Sequence, residues 1–539
     1  MADFAEILNI VGDFGTFQKL LLFAVCFPVA VLPFHFASVV FIQSDPERHC
    51  NTDWILGADP NLSSGEQLNL TVPREQDGSF SRCQMFVPVD WNISEIRQRG
   101  LNETTECVSG WVYHSSLYTS TIVTDFDLVC ERAHLLQVAQ TVFMAGILAG
   151  SLLFGPLAES FGRKWATQIP VFVNLIFSMT TGLCPNFYLY LASFFVLGSG
   201  YGGYRVNGII LATEWTGASK RSWAACFTQI AAALGQCVLA GLAYVVRDWR
   251  LLQVITAASF AVVAISISFL PESARWLLNR GRQEEAKALL ARAAAINKRP
   301  VSESVLQKIA EKEGVENQRA LVLIQSPVLR THFLTILFAG FALNITYFSL
   351  TLNLGNFGMD IFVTQLMFGL SELPAHLLCI WLIEFLGRRL TVVATLLSGG
   401  LVCFLMLAFS PDNAVAMTIL ATAGRFFTNW AATVNNVYVQ ELFPTSFRQT
   451  ASGLYAIGCR TGGLLSPVLN MLAAYHRSIP IVGFSSLTAL SGALCLLLPE
   501  TRRLELPESA AEAEDIRKKS NLKLKKDFHK PKHIQATKL

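Results

Sequence analysis

Twelve apolar runs, each about 20 residues long, punctuate this 539-residue sequence. A run of that length is what an α-helix needs to cross the hydrocarbon core of a bilayer. Six precede residue 272, at about 19–42, 136–157, 165–184, 188–212, 223–246 and 251–270. Six follow, at about 332–352, 362–384, 390–410, 414–438, 450–472 and 480–498. Only 15% of the residues are charged, against about 25% in soluble domains. The expected fold class is therefore an all-α membrane protein with 12 transmembrane helices. The runs divide the chain into an N-terminal segment (1–18), a first half (19–270) holding a polar insert at 44–135, a charged and partly helical loop (271–331), a second half (332–498) and a basic tail (499–539). The first run is too long for a secretory leader and lacks a small-residue cleavage site. The net charge of +3 gives no reason to expect a nucleic-acid partner.

Lysine and arginine concentrate in alternate connections, which sets orientation. Arg163 and Lys164, Lys220 and Arg221, Arg388 and Arg389, and Arg448 fall on one side with the central loop and the tail. That side is expected to be cytoplasmic, with both termini, and 44–135 extracellular. "RDWR" at 247–250 runs against the trend. The insert carries four N-x-S/T sequons, at Asn61, Asn69, Asn92 and Asn102, which accept glycans only on the lumenal or extracellular side. It also carries Cys50, Cys83, Cys107 and Cys130. Four cysteines in an oxidising loop suggest two disulfides, with three pairings open. No C-x-x-C pair favours zinc instead.

The halves repeat one another. "GPLAESFGRK" (155–164) and "IWLIEFLGRR" (380–389) share E-x-x-G-R-[KR], with Glu159 and Glu384 225 positions apart. "EWTGASKR" (214–221) and "ELFPTSFR" (441–448) share E-x6-R, with Glu214 and Glu441 227 apart. "LPESARW" (270–276) and "LPETRRL" (498–504) place Glu272 and Glu500 228 apart. Three pairs in order at nearly one offset indicate a duplicated six-helix unit, the architecture of major facilitator transporters. The motif residues Gly155, Glu159, Gly162, Arg163, Lys164, Glu214, Arg221, Glu272, Arg275, Glu384, Gly387, Arg388, Arg389, Glu441, Arg448 and Glu500 are expected at cytoplasmic helix ends. There, acids and arginines can pair when that side closes and separate when it opens. Orientation alone would also explain the positive charges.

No phosphate-binding G-x-x-x-x-G-K-[ST] and no H-E-x-x-H occurs, so neither an ATP motor nor an enzyme is expected, and no cofactor. "GSGYGG" (198–203) matches G-x-G-x-x-G inside an apolar helical run, where glycines serve close helix packing.

The glycosylation-prone insert, "GRK" after span two, "PESARWLLNRGR" after span six and "ELFPTSFRQTASG" entering span eleven together resemble solute carrier family 22, the organic ion transporters. The resemblance runs from "VGDFGTFQ" (11–18) to "LPET" (498–501). "CNTDWILGADPNLSSGEQLNLTVP" and "VFMAGILAGSLLFGPL" look most like its organic anion branch, in particular the nicotinate/urate exchangers and their riboflavin-associated sibling.

Ionisable residues inside spans are functional candidates. Arg460 is the only formal charge in "YAIGCRTGGLLSPVLNMLAAY" (455–475). A guanidinium grips a carboxylate with a planar pair of hydrogen bonds. The resemblance implies that this position is basic in anion carriers and acidic in cation carriers. His376 stands where anion-carrying relatives have Lys or Arg, and would titrate near physiological pH. Glu372, four residues earlier, shares its helix face and is positioned to charge His376 or to neutralise a cationic group. Arg205 lies 11 residues after Phe194, where the resemblance implies a basic residue; 11 residues is about 20° beyond three full turns, so Arg205 shares that face and is a candidate to replace the charge. Arg425 matches a basic position of the family and reads as structural. Tyr347 and Phe348 match an aromatic cavity pair, and Phe36, Asn436 and Ala232 match other lining positions.

The implied function is a secondary transporter, an exchanger of organic anions such as aromatic carboxylates or urate at the plasma membrane. It would act as a monomer against a counter-transported anion. Riboflavin, or a cation or zwitterion admitted by Glu372, are the alternative substrates; a receptor or membrane enzyme is the alternative class. The final Thr537-Lys-Leu539 fits the carboxyl end that PDZ domains accept.

Overall fold

The computed structural model describes residues 8, 10–12, 14–75, 78–114, 117–217, 221–299, 326–410, 413–443 and 448–501. Lys220, Thr537 and Leu539 lie outside the described residues, as do the side chains of Arg221, Glu384 and Arg448. Each apolar run forms a helix. These are α1 (Thr16–Val31, continued by Pro33–Phe36 and Val39–Ile42), α2 (Leu135–Phe161), α3 (Arg163–Leu183), α4 (Phe187–Glu214), α5 (Arg221–Val245) and α6 (Trp249–Ser268). The second half supplies α7 (Pro327–Leu352), α8 (Ile361–Leu386), α9 (Arg388–Leu405), α10 (Ala414–Leu442), α11 (Arg448–Met471) and α12 (Ser478–Leu494). Between the halves, "QEEAKALLARAAAI" is helical over Gln283–Ile296.

α4, α6 and α8 start where polar side chains satisfy the first free amides. Asn186 Oδ1 accepts from Leu189 N at 2.8 Å, Asp248 Oδ1 from Leu251 N at 2.9 Å, and Asp360 Oδ1 from Phe362 N at 2.9 Å. α1 is interrupted because Pro33 has no amide hydrogen to continue the ladder. Among the described residues, α1–α3, α5–α9 and α12 are long and apolar enough to cross a membrane. The other three long helices, α4, α10 and α11, carry Arg205, Arg425 and Arg460.

α4 packs on α2 and α3, and "GSGYGG" makes that approach close. A Cβ added to Gly198 or Gly202 would strike the carbonyls of Phe143 or Ile147 on α2, and one on Gly200 would strike Asn174 on α3. The halves meet along α2–α11 and α5–α8.

The repeated motifs become one device built twice. Glu272 Oε1 accepts from the backbone N of Arg163 at 2.8 Å and of Lys164 at 3.1 Å, capping α3. Glu500 accepts from Arg388 N at 2.9 Å and Arg389 N at 3.1 Å, capping α9. A carboxylate there satisfies free amides and meets the positive helix end. Gly162 (φ 108°) and Gly387 (φ 89°) turn the chain into these caps, at angles that a side chain resists. Arg163 then pairs with Glu214 at 3.4 Å and Arg388 with Glu441 at 2.7 Å. Each pair lies within its own half, so no described ion pair of this set joins the two halves. Glu159 contributes through its carbonyl, which accepts from Trp276 Nε1 at 2.9 Å and from Arg280. Arg389 donates to Leu496 O. Arg275 is exposed, and Gly155 faces open space.

The insert holds two short antiparallel ladders, β1 (Arg48–Cys50) with β4 (Trp111–Tyr113) and β2 (Gln84–Phe86) with β3 (Thr104–Glu106). Of the three pairings open from sequence, it forms Cys50–Cys107 and Cys83–Cys130. Asn61, Asn69, Asn92 and Asn102 are all exposed.

"RDWR" stitches this insert to the α5–α6 turn. Arg247 Nη1 donates to Leu117 O at 2.8 Å, and Arg250 Nε and Trp249 Nε1 donate to Asp125 Oδ2 at 2.9 and 3.0 Å. Beside it, Phe362 of α8 sits among Phe41 (5.4 Å between ring centres), Tyr244 (5.6 Å) and Tyr118 (6.0 Å), with the Arg247 guanidinium 5.2 Å from its ring. These two arginines are held by the insert.

Candidate functional site

The interior charges gather between the halves. Arg460, on α11, has a buried Nε with no hydrogen-bond partner and forms no ion pair among the described residues. Arg205, on α4, is part-buried; its Nη1 donates to Tyr201 OH at 3.2 Å and it too has no carboxylate partner among the described residues. The two guanidiniums lie within electrostatic reach of one another, one supplied by each half. Phe194 is fully buried and stacks on Phe143 at 4.5 Å.

Glu372 is not hydrogen-bonded to His376, its neighbour four residues along the helix. Its carboxylate turns to Arg425 of α10, with Nη2–Oε1 at 2.7 Å and Nε–Oε1 at 3.1 Å. Tyr347 OH donates to Oε1 at 3.1 Å, and Gln236 Nε2, from α5 in the other half, donates to Oε2 at 2.9 Å. Arg425 also donates to Gln236 Oε1 at 2.6 Å, Tyr347 OH at 2.8 Å and Thr351 Oγ1 at 2.6 Å. Its guanidinium packs over the rings of Tyr347 (4.4 Å) and Phe368 (4.7 Å). Arg425 is fully buried and Glu372 is 3% exposed. An ion pair this deep persists only because its remaining donors and acceptors are satisfied.

His376 is bound by neutral groups of α10. Its Nδ1 lies 3.1 Å from Thr433 Oγ1, and Asn429 Nδ2 lies 3.4 Å from its Nε2. The Thr433 hydroxyl donates to Asn429 O at 3.0 Å, so its oxygen is left to accept from the ring.

The aromatic members do meet. Phe36 of α1 lies edge-on to Phe348 at 4.9 Å and stacks near Tyr347 at 6.5 Å, and Tyr347 and Phe348 are 5.3 Å apart. The Phe348 ring rests on Gly463, one turn beyond Arg460, where an added Cβ would come within 2.9 Å of it. Ala232 is buried on α5. Asn436 is exposed and has no part in this network.

The structure thus brings together Arg460, Arg205, Glu372, His376, Tyr347, Phe348 and Phe36, and leaves Asn436 aside. Sequence reasoning missed Gln236, Thr351 and Tyr201 and gave Arg425 only a structural part. Gln236, a long polar side chain in the apolar run "ALGQCVL", was the available signal.

The family model "Sugar (and other) transporter" matches residues 101–512. Human solute carrier family 22 member 13 is 39% identical over 95% of this chain and 94% of its own length. Member 7 from Rattus norvegicus is 34% identical over 96% of this chain and 98% of its own, and human member 14 is 34% identical over 96% and 89%. Among solved structures, the proton:xylose symporter XylE, of the major facilitator superfamily, bound to 6-bromo-6-deoxy-D-glucose superposes with a TM-score of 0.60. It is 15% identical and covers 93% of this chain and 99% of that one, so it establishes the fold. This chain belongs to solute carrier family 22 and has the major facilitator fold.

Proposed function

We propose that this chain is a secondary active transporter that exchanges organic anions, such as small or aromatic carboxylates or urate, across the plasma membrane by alternating access. One observation carries the reading. Arg205 from the first half and Arg460 from the second have no carboxylate partner among the described residues, while Glu372 is committed to Arg425. A buried cation without an anion is costly, and an anionic substrate between the halves would relieve both. Phe36, Tyr347 and Phe348 supply flat apolar walls beside them, suited to a ring-bearing carboxylate. The fixed charge lost at His376 is thereby met by Arg205. The insert faces outward with glycans at Asn61, Asn69, Asn92 and Asn102, both termini face the cytoplasm, and the caps at Glu272 and Glu500 keep each half rigid as the halves rock.

The test is uptake of labelled nicotinate by Arg460→Ala, with surface protein measured in parallel. Uptake falls to background while surface protein persists. Normal uptake by that variant refutes the assignment.

The neutral partners of His376 favour a second reading, transport of a largely uncharged flat solute such as riboflavin. Competition among labelled nicotinate, urate, riboflavin and carnitine, with proteoliposome counterflow at two pH values, separates the two.

A further inference from the structure

Glu372 is the one acidic residue in the middle of any of the twelve helices; the other helix acids, Glu159, Glu214, Glu384 and Glu441, stand at their ends. It lies within electrostatic reach of Arg205 and His376. Left free, its carboxylate would compete with an anionic substrate for Arg205 and repel that substrate. It is not free. Oε1 receives Arg425 twice and Tyr347 once, and Oε2 receives Gln236.

We propose that Arg425 masks Glu372, and that this mask, as much as Arg460, determines which sign of charge the transporter accepts. The proposal rests on the anion reading above. Arg425 acts through Glu372 and is a specificity-determining residue rather than a substrate contact. It reaches Glu372 from a neighbouring helix, 53 positions on, and Thr351 and Gln236 hold its two terminal nitrogens at 2.6 Å. Its ring contacts with Tyr347 and Phe368 leave the guanidinium facing the carboxylate. Gln236 touches both members of the pair from the opposite half, so α5 completes the mask where it packs on α8. Removing the positive charge of Arg425 leaves a lone buried carboxylate beside the anion site. Removing both charges leaves neither repulsion nor an unpaired ion.

The test compares wild type, Arg425→Gln, Glu372→Gln and the double variant. Each is scored for surface protein, labelled nicotinate uptake and labelled tetraethylammonium uptake. Arg425→Gln is expected to lose on the order of tenfold or more of its nicotinate uptake and to gain tetraethylammonium uptake. The double variant recovers most of the nicotinate uptake and loses the cation uptake. Glu372→Gln alone lowers the nicotinate KM. A double variant as inactive toward nicotinate as Arg425→Gln, at equal surface protein, overturns the mask. So does a Glu372→Gln variant that loses nicotinate uptake, which decides the matter if Arg425→Gln fails to reach the surface. If wild type takes up no organic anion, the anion reading fails on its own. The mask is then judged by whether cation uptake rises in Arg425→Gln and falls again in the double variant.

Discussion

Replacing Gly387 with alanine should damage the second half of the protein through a carboxylate that the substitution never touches covalently. Gly387 sits at φ 89° and ψ 170°, a region that only glycine occupies readily, so alanine there costs about 1–3 kcal/mol in backbone strain. Its Cβ would also come within 2.6–2.9 Å of the Glu500 carboxyl atoms. Glu500 must then move and release the Arg388 and Arg389 amides, which it holds at 2.9 and 3.1 Å. Hydrogen bonds to a charged group contribute about 1.5–3 kcal/mol each, and the helix dipole adds about 0.3–1 kcal/mol at a partly exposed end. With discount for solvent access, losing the cap costs roughly 2–3 kcal/mol, and Gly387→Ala as a whole roughly 3–6 kcal/mol. Glu500→Ala should cost the cap alone. The double variant should be far from additive, because both changes strike one cap. Scanning fluorimetry on detergent-purified protein reads the three melting shifts. Gly155→Ala is the control, since no atom lies within 4 Å of its added Cβ; inside α2 it should melt at or slightly above wild type. A Gly387→Ala variant that melts with wild type, or strict additivity with Glu500→Ala, refutes the capping argument.

Two further outcomes follow from the opposite side. Phe362→Ala removes the ring that seats among Phe41, Tyr118, Tyr244 and Arg247. A cysteine introduced at Ala232 should then react faster with a membrane-impermeant maleimide, and equal rates would show that the cage does not close this side. In the insert, His49 Nδ1 and His114 Nε2 are 3.2 Å apart. Burial, and then the charge of His114, hold the His49 pKa below its ordinary value of 6.5, with Asp53 opposing them. A histidine with a lowered folded pKa loses stability as pH falls below the unfolded value. Amide exchange in Arg48–Cys50 and Trp111–Tyr113 should therefore speed up between about pH 7 and about pH 5.5 after correction for intrinsic rates; unchanged protection would count against it.

Much of the fold was legible because its signals are local or repeated. A bilayer demands helices of a fixed length, so the apolar runs could be counted directly. The acid–arginine motifs recur at one offset because each half builds the same turn, and the structure places Glu272 and Glu500 on the same two amides of α3 and α9. Arg460 stood out for a local reason as well, as a single charge in an apolar run. Other features depend on partners far away in the chain. "RDWR" looked like an exception to the charge rule until Arg247 and Arg250 were seen bound to Leu117 and Asp125 of the insert. The disulfide pairing was equally open, since four cysteines alone do not say which two strands lie together.

By itself, the sequence determined the number of helices, their duplication and which rare charges enter the membrane, because hydropathy and spacing act along the chain. Only the tertiary structure decided how those charges are spent. Spacing put Glu372 beside His376 on one helix face, but the carboxylate turns to Arg425, 53 positions on, and to Gln236, 136 positions back. Which guanidinium is consumed by a carboxylate, and which two remain without one, depends on how neighbouring helices are rotated against each other. A buried carboxylate takes the nearest well-aligned donors that packing offers it, and those donors come from other helices.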